Sequence, residues 1–156
     1  MFRCYQIYRR SEQPFQMHLL AVNVDPALGQ MLTIHGTGWE NWDLHMDSSL
    51  EEVKNGVYLT AEAEETLDSV EPGVTYVIGG LVDRNRLPGV CAKRAQQLNL
   101  PQKRLPLLEH VHFKSRTVLT VNHVFEILVE RLNGKDWKEA IVAVLPKRKI
   151  GSNETN

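Results

Sequence analysis

From Val57 onward, short β-branched runs alternate with segments of helical composition, and this alternation constrains the fold more than any other feature of the 156-residue chain. VYLT (57–60), TYVIG (75–79), KRLPL (103–107) and TVLT (117–120) read as strands with turn residues at their edges, and FQMHLLAV (15–22) reads as another upstream. Between them, AEAEETLDSV (61–70) is rich in helix formers, and GVCAKRAQQLNL (89–100) can set Val90, Ala95 and Leu98 on one apolar face. Parallel strands need a long crossover to return to the same end of a sheet, and a helix supplies it. The expected class is therefore α/β, a parallel sheet with helices packed on it. A chain of this length buries about 70% of its unfolded surface, so one core suffices without disulfide or metal staples.

Two helices with stronger signals close the chain. In VNHVFEILVERL, Val121, Val124, Phe125, Leu128, Val129 and Leu132 recur at helical spacing, and Gly134 stops the run. In DWKEAIVAVLP, Asp136 and Glu139 have capping-box spacing, Trp137, Ala140, Ile141, Val144 and Leu145 form the stripe, and Pro146 ends it. LPKRKIGSNETN then reads as a polar tail that buries too little to stay ordered, so one domain over 1–150 and a disordered 151–156 are expected. No apolar run approaches the ~20 residues of a membrane span, and the start lacks a secretory leader pattern. Cys4 and Cys91 stand far apart without CxxC spacing, which favours a reducing compartment, cytoplasm or nucleus.

Charge is distributed unevenly. Residues 1–83 carry 4 Lys or Arg against 13 Asp or Glu, whereas residues 84–156 carry 14 against 6. The basic half is densest where Arg84, Arg86, Lys93, Arg94, Lys103, Arg104, Lys114 and Arg116 meet a single acid, Glu109. Solvated helix faces mix both signs, so this one-sidedness points to a polyanion, nucleic acid above all. In HGTGWENWDLHM (35–46), Trp39 and Trp42 lie beside glycines and could stack on bases; the plainer reading is that they anchor an irregular loop.

YVIGGLVDRNRLPGV (76–90) places two glycines and a carboxylate, Asp83, at the end of an apolar strand among cations. A strand-to-helix turn explains the glycines and a capping Asp83. GGLVD matches neither the dinucleotide GxGxxG nor the phosphate-loop GxxxxGK[ST]. His110 and His112 form a pair without a further ligand at matching spacing, so no metal site is expected. No GxSxG occurs, and Cys91 lacks an evident base. Methyl transfer from S-adenosylmethionine fits better: the sulfonium is already a good leaving group, and one carboxylate near a ring nitrogen can take the acceptor's proton. Glycines let main chain approach a cofactor closely, while cations hold RNA phosphates.

RCYQIYRR, GWENW, VYLT, YVIGGLVDRN, RLPL, VLTVNHVFEIL and DWKEAIVAVLPKRK together resemble the tRNA (guanine-9, N1)-methyltransferases, a branch of the trefoil-knotted SPOUT methyltransferases. The resemblance covers almost the whole chain. It implies a SPOUT-type parallel sheet flanked by helices, with a C-terminal trefoil knot over about 79–132. It also implies S-adenosylmethionine as cofactor, tRNA as partner and a monomeric enzyme without metal or membrane. The family's proton acceptor falls on Asp83. Its cofactor site falls on Leu59, Gly79, Asp83, Arg84, Asn85, Arg86, Leu87, Cys91, Leu105, Thr117, Val118 and Leu119, mostly as backbone or apolar contacts. The cations between Arg84 and Arg116, with Lys147, Arg148 and Lys149, are expected to grip tRNA phosphates. Relative to the family pattern, a first strand of the form LVLDLS and a Lys-rich extension do not precede RCYQIYRR, and SSLEEVKNG is short. An uncovered sheet edge and a truncated domain are the expectation. Two rivals follow, a tRNA- or cofactor-binding module without activity, and an enzyme for adenine at the same tRNA position.

Overall fold

The computed structural model describes residues 2–20, 30, 45, 50–80, 87–114 and 117–151. Its elements are α1 (Phe2–Tyr8), a 3₁₀ turn at Leu50–Glu52, β1 (Gly56–Leu59), β2 (Thr75–Ile78), α2 (Val90–Gln97), β3 (Gln102–Lys103), α3 (Leu107–His110), α4 (Val121–Leu132) and α5 (Trp137–Val144). The three strands form one parallel sheet in the order β2-β1-β3. Tyr58 lies opposite Val77, and Leu59 lies between Ile78 and Lys103. The expected α/β architecture is therefore present.

Strand periodicity explains why the sheet's sequence is apolar on both faces. Leu59, with Val57, Tyr76 and Ile78 beside it, joins a core made by Leu105, Ile127, Leu128, Trp137, Ala140 and Ile141. Tyr58 and Val77 point the other way, into a second cluster with Ala95, Leu100, Val53 and Cys91. Helices α4 and α5 cover the first face, while α2 covers the second. The anticipated capping box is complete, since Asp136 accepts from the Glu139 amide and Glu139 accepts from the Asp136 amide. Trp137 is buried and its indole N–H donates to the Asp68 carbonyl at 2.8 Å, tying α5 to the loop before β2.

Four expectations about local structure need correction. AEAEETLDSV forms turns and no helix. Its backbone is used instead to extend the sheet edge: Arg104 N–H donates to the Glu65 carbonyl and Leu67 N–H to the Arg104 carbonyl. Pairing to β3, with Leu67 buried, outweighs the helical propensity of Ala and Glu. KRLPL is a strand only at its start, because Leu107 opens α3. TVLT is not a strand; Thr120 has extended backbone and stands at the N-cap position of α4, its carbonyl accepting from the Val124 amide. The first half of the expected polar tail, 145–150, is tethered, since Leu145 and Ile150 are buried and Ile150 bridges Phe113 in antiparallel fashion, whereas 152–156 lie outside the described residues.

In FQMHLLAV, the pairing seen among the described residues is His18 with His45, and Ala21 and Val22 lie outside them. The same holds for GWENW and for two stretches of the expected knot, 81–86 and 115–116. At the N-terminus, α1 packs on α4. An aromatic chain supports this contact, from Tyr8 edge-on to Phe15 at 5.1 Å and from Phe15 to Phe125 at 5.9 Å.

Candidate active site

In open parallel sheets, ligands bind beyond the carboxyl ends of the strands, where main-chain groups run out of ladder partners. Leu59 is the last residue of β1, Gly79 follows β2 directly, and Leu105 stands two residues past β3. Three of the expected cofactor positions thus meet at one end of three adjacent strands. Leu59 and Leu105 are buried in the main core and Leu119 packs against the same cluster, so their side chains are structural.

Beside Gly79 opens a cleft of about 390 Å³ whose lining includes Tyr58, Gly80, Val90, Cys91 and Lys93. That volume lies in the usual range for small-ligand sites. Gly79 lies close against two side chains: a Cβ would stand 2.6 Å from Cys91 Sγ and 3.3 Å from Tyr58 Oη, so one of them would have to shift. At Gly80, by contrast, a Cβ would meet nothing within 4 Å, so its main chain borders open space. Tyr58 is only 5% exposed, and its hydroxyl and the Cys91 thiol both face Gly79. Burial, reinforced by Cys91, pushes the phenol up to about 12, so it stays protonated at any physiological pH. Sequence reasoning chose Leu59 and missed Tyr58. The signal was available, because strand alternation sets the residue before Leu59 on the opposite face, the face α2 covers.

Glu62 is a second omission. Its carboxylate accepts from the Gly89 amide at 2.6 Å and from the Thr60 hydroxyl at 2.8 Å. It therefore joins the exit of β1 to the start of α2. Gly89 precedes α2 with a φ of 79°, a left-handed conformation suited to glycine.

Thr117, Val118 and Leu119 lead into α4. Val118 is 46% exposed, and its carbonyl accepts from Lys149 Nζ at 2.7 Å. Leu87 is 53% exposed. Both are large apolar side chains left outside the core among the described residues. Asp83, Arg84, Asn85 and Arg86 lie outside the described residues, as does Arg116.

The described cations divide into two groups. Arg94 pairs with Glu51 at 2.7 Å, Lys103 with Glu65 at 3.7 Å and Arg104 with Glu109 at 2.5 Å. Although desolvation works to raise Glu109, the Arg104 hydrogen bond and charge prevail and hold its carboxyl below the usual value. Lys93 and Lys114 are exposed and form no ion pair among the described residues. The acids that neutralise Arg94 and Lys103 come from the first half of the chain, invisible to a count along residues 84–116. No group of three His, Cys, Asp or Glu able to hold a metal occurs among the described residues.

The family model for tRNA (guanine(9)-N(1))-methyltransferase TRM10/TRM10A matches residues 1–150. The chain belongs to this family. Among curated relatives, the Drosophila melanogaster tRNA (guanine(9)-N(1))-methyltransferase Trmt10A is 41% identical, the match covering 94% of this chain and 47% of the relative. The Kluyveromyces lactis tRNA (guanine(9)-N1)-methyltransferase is 44% identical over 76% of this chain and 40% of its own length. Homo sapiens tRNA methyltransferase 10 homolog A is 38% identical over 94% and 44%. The chain thus spans about half the length of the curated relatives it matches. Among solved structures, spTrm10(74) superposes with a TM-score of 0.82 at 27% identity, covering 93% of this chain and 81% of that one. Full-length spTrm10 in complex with SAH superposes at 0.77 with the same identity and coverage. The three-stranded parallel sheet with its flanking helices is accordingly the SPOUT-type fold of the tRNA (guanine(9)-N(1))-methyltransferases.

Proposed function

We propose that this chain transfers methyl from S-adenosylmethionine to N1 of guanine at tRNA position 9. The observation that carries the reading is the convergence of Leu59, Gly79 and Leu105 at the carboxyl ends of three adjacent strands, beside the Gly79–Cys91 cleft. It is supported by membership of a family whose curated relatives bear that activity in their names. The cleft suits the cofactor: Val90 offers apolar surface, Gly79 and Gly80 offer main chain, and Lys93 sets a cation on the rim. Leu59, Gly79, Cys91, Leu105 and the 117–119 segment would hold it, with Leu87 and main chain of 83–86.

When bound, the cofactor supplies an electrophilic methyl on a sulfonium. The chain's own task is to orient the purine and manage a proton. As N1 gains the methyl group it must lose its hydrogen, and Asp83 is the group proposed to accept or shepherd that proton. Tyr58 stays protonated and serves to shape the cleft through Cys91. Exposed Lys93 and Lys114, with Lys147 and Arg148, carry positive charge for tRNA phosphates, and a monomer suffices for this arrangement.

The test is transfer of labelled methyl into unmodified tRNA by the wild-type chain and by Asp83→Asn. Wild type is expected to label the tRNA, and the variant to bind S-adenosylhomocysteine equally while turning over more slowly. No label with wild type, cofactor binding being intact, would replace the enzyme by a binding module. Equal turnover of the two chains across a pH series would remove Asp83 from the proton's path.

A further inference from the structure

Lys149 belongs by sequence to the basic run KRK that was expected to grip tRNA phosphates. Its surroundings differ from those of its neighbours. Lys147 and Arg148 are exposed, while Lys149 is half-buried and its ammonium donates to the Val118 carbonyl at 2.7 Å. The backbone on either side is fixed as well. Lys149 N–H donates to the Pro146 carbonyl, its own carbonyl accepts from Lys114 N–H at 2.9 Å, and Gly151 N–H donates to the His112 carbonyl at 2.8 Å. Ile150 is buried in the main core and bridges Phe113. Lys149 therefore projects from an anchored segment onto the one described stretch, Thr117–Leu119, that precedes α4 without ladder pairing.

We infer that Lys149 is a positioning residue of the methyl-donor site, clamping the Val118 carbonyl so that main chain at 117–119 is preset for the cofactor. The inference rests on the methyl-donor reading of that segment. Its physical basis is preorganisation: a peptide already held in the binding orientation loses less freedom when the ligand arrives. An ammonium is a suitable clamp because its hydrogen bond to a carbonyl is charge-assisted. With the ammonium engaged in this way, Lys149 is poorly placed to serve as an independent phosphate contact.

The experiment titrates wild type, Lys149→Met, Lys149→Arg and Arg148→Ala with S-adenosylhomocysteine and, separately, with unmodified tRNA over a salt series. Lys149→Met keeps the length and apolar stem but not the donor, and is expected to weaken S-adenosylhomocysteine binding about tenfold. Its tRNA affinity and salt slope should stay close to wild type, and Lys149→Arg, which retains a charged donor, should recover most of the cofactor affinity. Arg148→Ala should show the converse, flattening the tRNA salt slope by about 1 with cofactor binding unchanged. If Lys149→Met does not fold, Lys149→Gln is measured in its place against the same two outcomes. Unaltered cofactor binding with a flattened tRNA salt slope in the Lys149 variant would make it a phosphate contact and overturn the clamp. A wild-type chain that fails to bind S-adenosylhomocysteine would overturn the methyl-donor reading and the clamp together.

Discussion

Gly79→Ala probes the packing on which the candidate site depends. The added Cβ would lie 2.6 Å from Cys91 Sγ, against about 3.5–4.0 Å for ordinary contact, so one of the two must yield by about 1 Å. Cys91 can rotate, but doing so disturbs its packing against the cluster that contains buried Tyr58. Overpacking of this kind costs about 1–3 kcal/mol. Restricting the unfolded chain returns about 0.4–1 kcal/mol. The expected net loss is about 0–2.6 kcal/mol, from the difference of these terms. Removing the thiol should relieve it, because the remaining neighbours are Tyr58 Oη at 3.3 Å and Cys91 Cβ at 3.9 Å. Urea unfolding of wild type, Gly79→Ala, Cys91→Ala and the double variant closes a thermodynamic cycle. A coupling of about 1 kcal/mol favouring the double variant is expected, well beyond the ~0.3–0.5 kcal/mol scatter of independent sites. Titration with S-adenosylhomocysteine should show the same pattern, with Gly79→Ala weakened and the double variant partly restored. Additive stabilities would refute the claim that the Cys91 contact is what crowds a side chain at residue 79.

Three further outcomes follow from the same structure. Asp136→Ala removes one half of the capping box and strands the other, so it should cost about 1 kcal/mol, seen as a melting temperature lower by ~2–4 °C; an unchanged melting temperature would contradict the cap's role. Burial first, then the charge of Lys149, holds His123 below 6.5 against the opposing pull of Glu126, and burial with His45 does the same for His18. Depressed folded values mean that the unfolded chain binds more protons, so stability is full above about pH 6.5 and falls with pH below it. Urea midpoints at pH 7.5 and 5.5 should show that loss, reduced in His123→Asn. Because Lys93 lacks an ion pair among the described residues whereas Lys103 is held by Glu65, Lys93→Ala should flatten the tRNA salt slope by about 1 and Lys103→Ala by clearly less. Equal slopes for the two would place both on the RNA face.

Much of the fold was legible because periodic apolar patterns report which side of an element is covered. The stripes of α4 and α5 delivered Ile141, Ala140 and Leu128 to the core, and Asp136 with Glu139 marked a real helix start. Composition misled where long-range pairing decided the outcome. Residues 61–70 have helical propensity, but the amide of Leu67 and the carbonyl of Glu65 go to Arg104 at the sheet's edge, a partner almost forty positions away. TVLT has the residues of a strand but leaves the Val118 carbonyl to Lys149, and propensity cannot tell a strand from a segment whose main chain is held by a side chain.

The site was legible unevenly for related reasons. Gly79, Leu59 and Leu105 came from a family resemblance, and only the sheet shows why they meet, at the ends of β2, β1 and β3. Tyr58 was hidden by its neighbour, because an aromatic in an apolar strand reads as core until the thiol beside its hydroxyl is seen. Along the basic stripe, Glu51 and Glu65 cross from the acidic half to pair with Arg94 and Lys103, which a count along the sequence does not show.

The central claim is tested most directly by incubating the chain with labelled S-adenosylmethionine and two unmodified tRNA transcripts that differ only in carrying guanine or adenine at position 9, then digesting to nucleosides. The account predicts label in 1-methylguanosine from the guanine transcript and none from the adenine transcript. Label in 1-methyladenosine alone, or in neither while tRNA and cofactor still bind, would contradict it.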